Sequence, residues 1–160
     1  MTSLALMPNN SLMILGYTTS NSSIVFEDTY QNNLAGFLDL FLLQLSSSGS
    51  FEWSTYLGGS ETEFPGNLVV DSNFIYVLGF GQSADFPISN NAYQPALAGT
   101  SDTFLSIFNF DHQLVYSSFY GGSSSESAGR MAVQNGKIVV CGSMEITRKL
   151  YHSFRANVNH

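Results

Sequence analysis

Short apolar runs separated by turn residues dominate this chain, and they return in a fixed order. A weakly alternating run at 4–7 has counterparts at 68–70 and 131–133. Next come runs at 12–15, 75–78 and 138–141, each closed by a glycine: Gly16, Gly79 and Gly142. A third run, 39–45, is matched by 102–108, and a fourth, 51–57, by 114–120. These stretches are aliphatic, β-branched and aromatic, and turn residues such as Asn9-Asn10, Ser72-Asn73 and Asn135-Gly136 bound them. That pattern predicts strands joined in hairpins. Helices have no room between such closely spaced turn signals.

The interval between counterparts is constant. Trp53-Ser-Thr-Tyr-Leu-Gly-Gly-Ser60 returns as Tyr116-Ser-Ser-Phe-Tyr-Gly-Gly-Ser123, 63 residues later. Gly58 and Gly59 thus align with Gly121 and Gly122, Asp39 with Asp102, Tyr30 with Tyr93, and Gln31 with Gln94. A fixed long period signals a repeat architecture. Four antiparallel strands per period predict an all-β fold of β-propeller blades, whereas a closed sandwich would not need this register. About two and a half units are expected: blade 1 at about 1–62, blade 2 at about 63–125, a partial blade at 126–142, and a divergent tail at 143–160. The connections 17–38 and 80–101 are long for loops, but they share anchors. They are expected to be ordered, with Phe86, Pro87 and Tyr93 tucked inward.

Several motifs carry a resemblance. Ser54-Thr-Tyr-Leu-Gly-Gly59, Asp71 before Ile75-Tyr-Val-Leu-Gly79, Asp85-Phe-Pro87 with Asn91-Ala-Tyr-Gln-Pro95, and Ser101-Asp-Thr-Phe-Leu105 together resemble the SBBP-type β-propeller repeat family. The likeness covers roughly residues 1–142. It implies a propeller of the kind found in large, often secreted or surface-associated proteins, mostly without an assigned activity. The first copy departs in having Ser23-Ile24 in place of Phe-Pro, and Gln44 and Ile107 stand where the family has a basic residue. In the third copy Lys149 and Ala156 replace the expected Phe and Tyr.

A propeller closes with about four to eight blades, and a repeat stack leaves faces open without its neighbours. The chain is therefore expected to be a fragment of a larger propeller, a truncated product, or a protomer that closes by association. Exposed strand edges and blade faces should make it associate.

Charge narrows the function classes. The net charge is −7, and only 11% of residues are charged. All five basic residues lie at or beyond Arg130, with eleven acids before it. That balance argues against nucleic acid, and no apolar run is long enough for a membrane helix. Nothing resembles a signal peptide as written. Cys141 is the only cysteine, which excludes an intrachain disulfide and a Cys-based zinc site. Its counterparts Leu15 and Leu78 suggest a buried small hydrophobe.

Catalytic signals are sparse. Asp39 and Asp102 head equivalent strands, where a carboxylate can accept from nearby backbone N–H groups and pin a loop end. The rival role, a calcium ligand, lacks the surrounding Asp-x-Asp-x-Asp-Gly loop. Asp71 suits a turn. Glu61, Glu63, Asp85 and Glu126 are candidate acids for glycoside chemistry, which needs a defined separation in space. Glu63 and Glu126 recur just past Gly-Gly-Ser and read as solvated loop residues. Asp85 is the ligand-binding candidate that its counterparts, Ser22 and Arg148, do not share. Trp53 and its counterpart Tyr116 read as packing between blades, with sugar stacking as the alternative. The Gly-Gly-Ser turns lack the Gly-Lys-Ser/Thr of a phosphate loop, and no Gly-x-Ser-x-Gly elbow accompanies His112, His152 or His160.

The expected function is therefore a structural or interaction segment of a secreted or cell-surface protein, without catalysis, cofactor or metal. Its partners would be a protein or glycan, the remaining blades, or itself. A carbohydrate-active or glycan-binding propeller is one alternative. A truncated product without independent function is the other.

Overall fold

The computed structural model describes residues 3–21, 29–144 and 153–155. The described residues form antiparallel sheets and no helix. The first sheet contains β1 (Ser3–Leu6), β2 (Leu12–Thr18), β3 (Asp39–Leu45) and β4 (Phe51–Leu57), side by side in chain order. The second repeats that order with β5 (Glu63–Val70), β6 (Phe74–Gly81), β7 (Asp102–Asn109) and β8 (Leu114–Tyr120). The third joins β9 (Glu126–Gln134), β10 (Lys137–Met144) and β11 (Ser153–Arg155), with β10 in the middle.

The turns follow from local chemistry. Asn135 and Gly136 both have positive φ (50° and 69°) between β9 and β10, as a tight hairpin requires. In the β3–β4 turn Gly49 takes φ 82°, and its counterpart in the β7–β8 turn is His112 at φ 62°. A histidine thus accepts a backbone conformation that glycine reaches freely. The Asp71 Oδ1 accepts from the N–H groups of Asn73 (2.8 Å) and Phe74 (3.0 Å), and its Oδ2 accepts from the Tyr76 hydroxyl (2.8 Å). That fixes the β5–β6 turn. Burial and the Asp71 carboxylate push the Tyr76 phenol well above its ordinary range.

Register repeats from sheet to sheet. Gly16 lies opposite Phe41, and Gly79 opposite Phe104. A Cβ on Gly16 or Gly79 would stand 2.3 or 2.4 Å from the facing phenyl Cζ, so only glycine lets the ring lie across the neighbouring strand. Bulges fall at Gln44/Leu45 and at Ile107/Phe108, again at equivalent positions.

Each sheet packs on the next. Met13, Leu15, Leu40, Leu42, Trp53 and Leu57 of the first sheet meet Ile75, Val77, Phe104, Phe108 and Phe119 of the second. The opposite face of the second sheet, with Tyr76, Leu78, Leu105 and Ile107, meets Met131 and Ile138 of the third. The first strands approach one another in series. The Leu68 N–H donates to Ser3 Oγ (3.1 Å), and the Met131 N–H donates to Asn67 Oδ1 (2.8 Å). Arg130 Nη1 also donates to the Gly66 carbonyl (3.4 Å).

Three expectations need correction. The third sheet does not stop at 142: β10 runs to Met144, and β11, within the stretch expected to be a divergent tail, pairs with β10 from Lys137↔Arg155 to Val139↔Ser153. Cys141 is exposed. Leu15 and Leu78 are buried because another sheet covers their face, whereas no described residue covers the outer face of the third sheet. Tyr93 is 69% exposed, although Phe86 is buried as expected. Tyr30 lies edge-on to Phe108 of the following sheet at 5.6 Å. Tyr93 stacks on Tyr120. His152, His160, Arg148, Lys149, Ala156, Ser22, Ser23 and Ile24 lie outside the described residues.

Candidate functional site

Two matching clasps of Gln, Asp and Glu organise the ends of the first and second sheets. At the head of β3, Asp39 is fully buried. Its Oδ2 accepts from Gln31 Nε2 (2.9 Å) and the Ala35 N–H (2.8 Å), and its Oδ1 from the Gly36 N–H (3.2 Å). Asp102 repeats this at the head of β7 with Gln94 (2.6 Å), Ala98 (2.9 Å) and Gly99 (3.2 Å). Each glutamine closes the circuit: Gln31 Oε1 accepts from the Gly58 N–H (3.1 Å), and Gln94 Oε1 from that of Gly121 (3.0 Å). The long loops are thereby tied to the Gly-Gly closures through carboxylates that accept several N–H groups.

Glu63 and Glu126 complete the clasps, and here the solvated-loop expectation fails. Both are buried. Glu63 Oε2 accepts from the Gly59 N–H (2.9 Å), and Glu126 Oε2 from that of Gly122 (3.0 Å). These glutamates open β5 and β9 rather than lying in a loop. Isolated parallel bridges, Leu38↔Thr62 and Ser101↔Ser125, hold the preceding loops beside them. A Cβ on Gly58 would stand 2.5 Å from Asp39 Cγ and 2.8 Å from Glu63 Oε2, and Gly121 repeats this at 2.4 and 2.7 Å. Both glycines are needed for that close approach. Burial raises the pKa values of Asp39 and Glu63 above the ordinary carboxylate range, against the opposing hydrogen bonds; the Asp85 charge adds to the rise at Asp39 and the Asp39 charge to that at Glu63.

The ligand-binding candidates do not converge. Asp85 is exposed, and its Oδ1 accepts from the Ser60 N–H (2.9 Å) and hydroxyl (3.0 Å). The Ser60 N–H holds that carboxyl below its ordinary range. Glu61 is exposed nearby, with its N–H on Ser83 Oγ. Trp53 is buried between the first two sheets with the His112 imidazole on its face, centroids 4.0 Å apart. A sugar ring has no access to that face. Tyr116 is half-buried against the third sheet, its hydroxyl 2.7 Å from that of Tyr120.

A polar string missed in the sequence crosses between the first two sheets. The Ser11 hydroxyl donates to Glu52 Oε2 (2.8 Å), as does Gln44 Nε2 (2.7 Å), while Gln44 Oε1 lies 2.8 Å from His112 Nε2. With the Gln44 amide so oriented, His112 Nε2 is the donor. Burial lowers the basicity of His112, against the charges of Asp111 and Glu52. The available signal was Gln44 at a position whose counterpart is Ile107. His112 also lines an open groove of about 620 Å³ with Thr29, Tyr30, Asp111, Gln113, Leu114 and Val115.

Among the described residues no three His, Cys, Asp or Glu side chains converge as a metal site, and no helix is long and apolar enough to cross a membrane. No protein-family model matches the chain, and no curated protein aligns with it significantly.

Proposed function

We propose that this chain is a sector of a β-propeller that serves as a scaffold and interaction surface in a secreted or cell-surface protein. One observation carries the reading. Equivalent backbone N–H groups tie successive first strands together, Leu68 to Ser3 Oγ and Met131 to Asn67 Oδ1, while the strands of every sheet lie side by side in chain order starting from its first strand. First strands drawn together with later strands leading away are the arrangement of blades around an axis. The 63-residue interval and the motifs resembling SBBP-type repeats support it.

The chemistry of the clasps favours a structural over a catalytic role. Asp39, Asp102, Glu63 and Glu126 are engaged with backbone N–H groups. Asp85 anchors a loop to Ser60. Contact with a protein or glycan would use the rim: the 82–100 connection, which presents Tyr93 at 69% exposure, and the groove beside Tyr30.

The test is a chain extended in frame by further copies of residues 63–125 until six sheets are present. It should unfold in one cooperative step and form compact ring-shaped particles in electron micrographs. Independent unfolding of the added units would overturn the propeller reading. Turnover on a glycan and ester panel, abolished by one carboxylate substitution, would overturn the non-catalytic one.

A further inference from the structure

We propose that Asn135 is a site of spontaneous conversion to isoaspartate, and that the conversion releases the β9–β10 hairpin. The site lies within one turn and holds whether or not the sheets belong to a propeller.

Asn135-Gly136 is the only Asn-Gly pair in the chain. It forms the whole connection between Gln134 and Lys137, which face each other in register. Both turn residues have positive φ, 50° and 69°, and both are exposed. A Cβ built on Gly136 would find nothing within 4 Å. Among the described residues, neither the Asn135 side-chain amide nor the Gly136 N–H has a hydrogen-bond partner.

The chemistry needs those features together. The Gly136 amide nitrogen attacks Asn135 Cγ, its proton leaves with the side-chain nitrogen, and ammonia departs as a five-membered succinimide closes. Water then opens the ring at either carbonyl. Opening at the side-chain carbonyl gives aspartate. Opening at the main-chain carbonyl leaves the peptide link running through the side chain, which is isoaspartate. The attacking nitrogen must be free, and the backbone must rotate out of the turn conformation. Gly136 has no Cβ to oppose that rotation, and exposed hairpin tips open locally at little cost.

The neighbouring turns lack these features. Asn9 precedes Asn10, whose N–H donates to the Met7 carbonyl (2.9 Å). Asn10 precedes Ser11, whose N–H is held by Asn9 Oδ1 (3.0 Å). Asn73 precedes Phe74, whose N–H is held by Asp71 Oδ1 (3.0 Å). At the position of Asn135-Gly136 the first two units carry Asn9-Asn10 and Ser72-Asn73, so the reactive pair belongs to the third sheet alone.

Isoaspartate adds a methylene to the main chain of a two-residue turn. Lys137 can then no longer lie opposite Gln134 while Ile138 lies opposite Val133. Met131 and Ile138, which this hairpin packs against the second sheet, lose the register that holds them on one face.

The test keeps the full chain folded at mildly alkaline pH and follows it by tryptic digestion. Cleavage after Arg130 and Lys137 isolates residues 131–137. That peptide should gain the mass of an amide-to-acid change about tenfold faster than any other asparagine-bearing peptide. Carboxyl methyltransferase labelling should identify isoaspartate as the main product. Amide hydrogen exchange of the aged chain should quicken in β9 and β10 but not in β5 and β6. Asn135→Gly keeps a residue suited to positive φ and should show neither change. An intact Asn135 while other asparagines convert would overturn the proposal, as would conversion seen only in urea, since the folded turn would then protect the amide. Isoaspartate without faster exchange in β9 and β10 would overturn the claim that the hairpin is released.

Discussion

The Trp53 indole and the His112 imidazole stack almost parallel, 6° apart, across the boundary between the first and second sheets. The contact joins a strand of one sheet to a turn of the next, and the Gln44 amide holds the imidazole in place. His112→Ala should therefore destabilise the fold by about 1–3 kcal/mol in chemical denaturation, from the lost stacking and hydrogen bond. A double-mutant cycle with Trp53→Leu should return a coupling of about 0.5–1.5 kcal/mol. Zero coupling would make the stack incidental.

The same residue gives a pH dependence. Burial lowers the basicity of His112 in the folded state, so the unfolded chain takes up the proton first as pH falls. This contribution is present above about pH 6.5, the ordinary histidine value, and is lost as pH drops below it. Urea midpoints from pH 7.5 to 5.5 should fall for the unsubstituted chain and flatten in His112→Ala.

The clasp carboxylates act in the opposite direction. The raised pKa values of Asp39 and Glu63 mean that the folded state holds protons the unfolded state has released. Their contribution is greatest below the unfolded value, about 4, and is lost as pH rises through the folded values. Glu63→Gln keeps an acceptor for the Gly59 N–H and removes the buried charge. It should match or exceed the parent in stability at pH 7, and the difference should vanish or reverse near pH 3.

Asp39→Ala and Asp102→Ala should be similarly costly, about 2–4 kcal/mol each, since each strands two backbone N–H groups and a glutamine amide. Adding calcium should leave the melting temperature of the unsubstituted chain unchanged. A calcium-dependent rise lost in either variant would return these aspartates to the role of metal ligands.

Gly58→Ala and Gly49→Ala separate two uses of glycine. At Gly58 the new methyl would press on Asp39 and Glu63, a packing conflict of about 1–3 kcal/mol or more. At Gly49 nothing lies within 4 Å, and only the positive φ opposes the change, at about 1 kcal/mol. Equal costs would contradict the close approach seen at Gly58.

The strands were legible because period and turn chemistry agree at every hairpin, and the loop-pinning geometry of Asp39 and Asp102 followed from their place before each third strand. Glu63 was not legible. Its position after Gly-Gly-Ser resembles a loop, and only its bond back to Gly59, beneath Gly81, takes it out of water. Cys141 misled for the converse reason: burial at an equivalent position depends on the next sheet, which a residue-by-residue comparison cannot supply. His112 was hidden because it stands where the first copy has Gly49, and its partner Trp53 comes from the previous unit.

The central claim is that each sheet presents one face to its predecessor and the other to its successor. Hydroxyl-radical footprinting of Leu4 and Leu6 tests it most directly, in a chain with residues 63–125 fused in frame before Met1. Those two side chains should become protected by about tenfold relative to the parent chain at a concentration where it is monomeric, since the added sheet would cover them as the first sheet covers Ile75 and Val77. Unchanged oxidation of both leucines, with the added unit folded, would contradict the account.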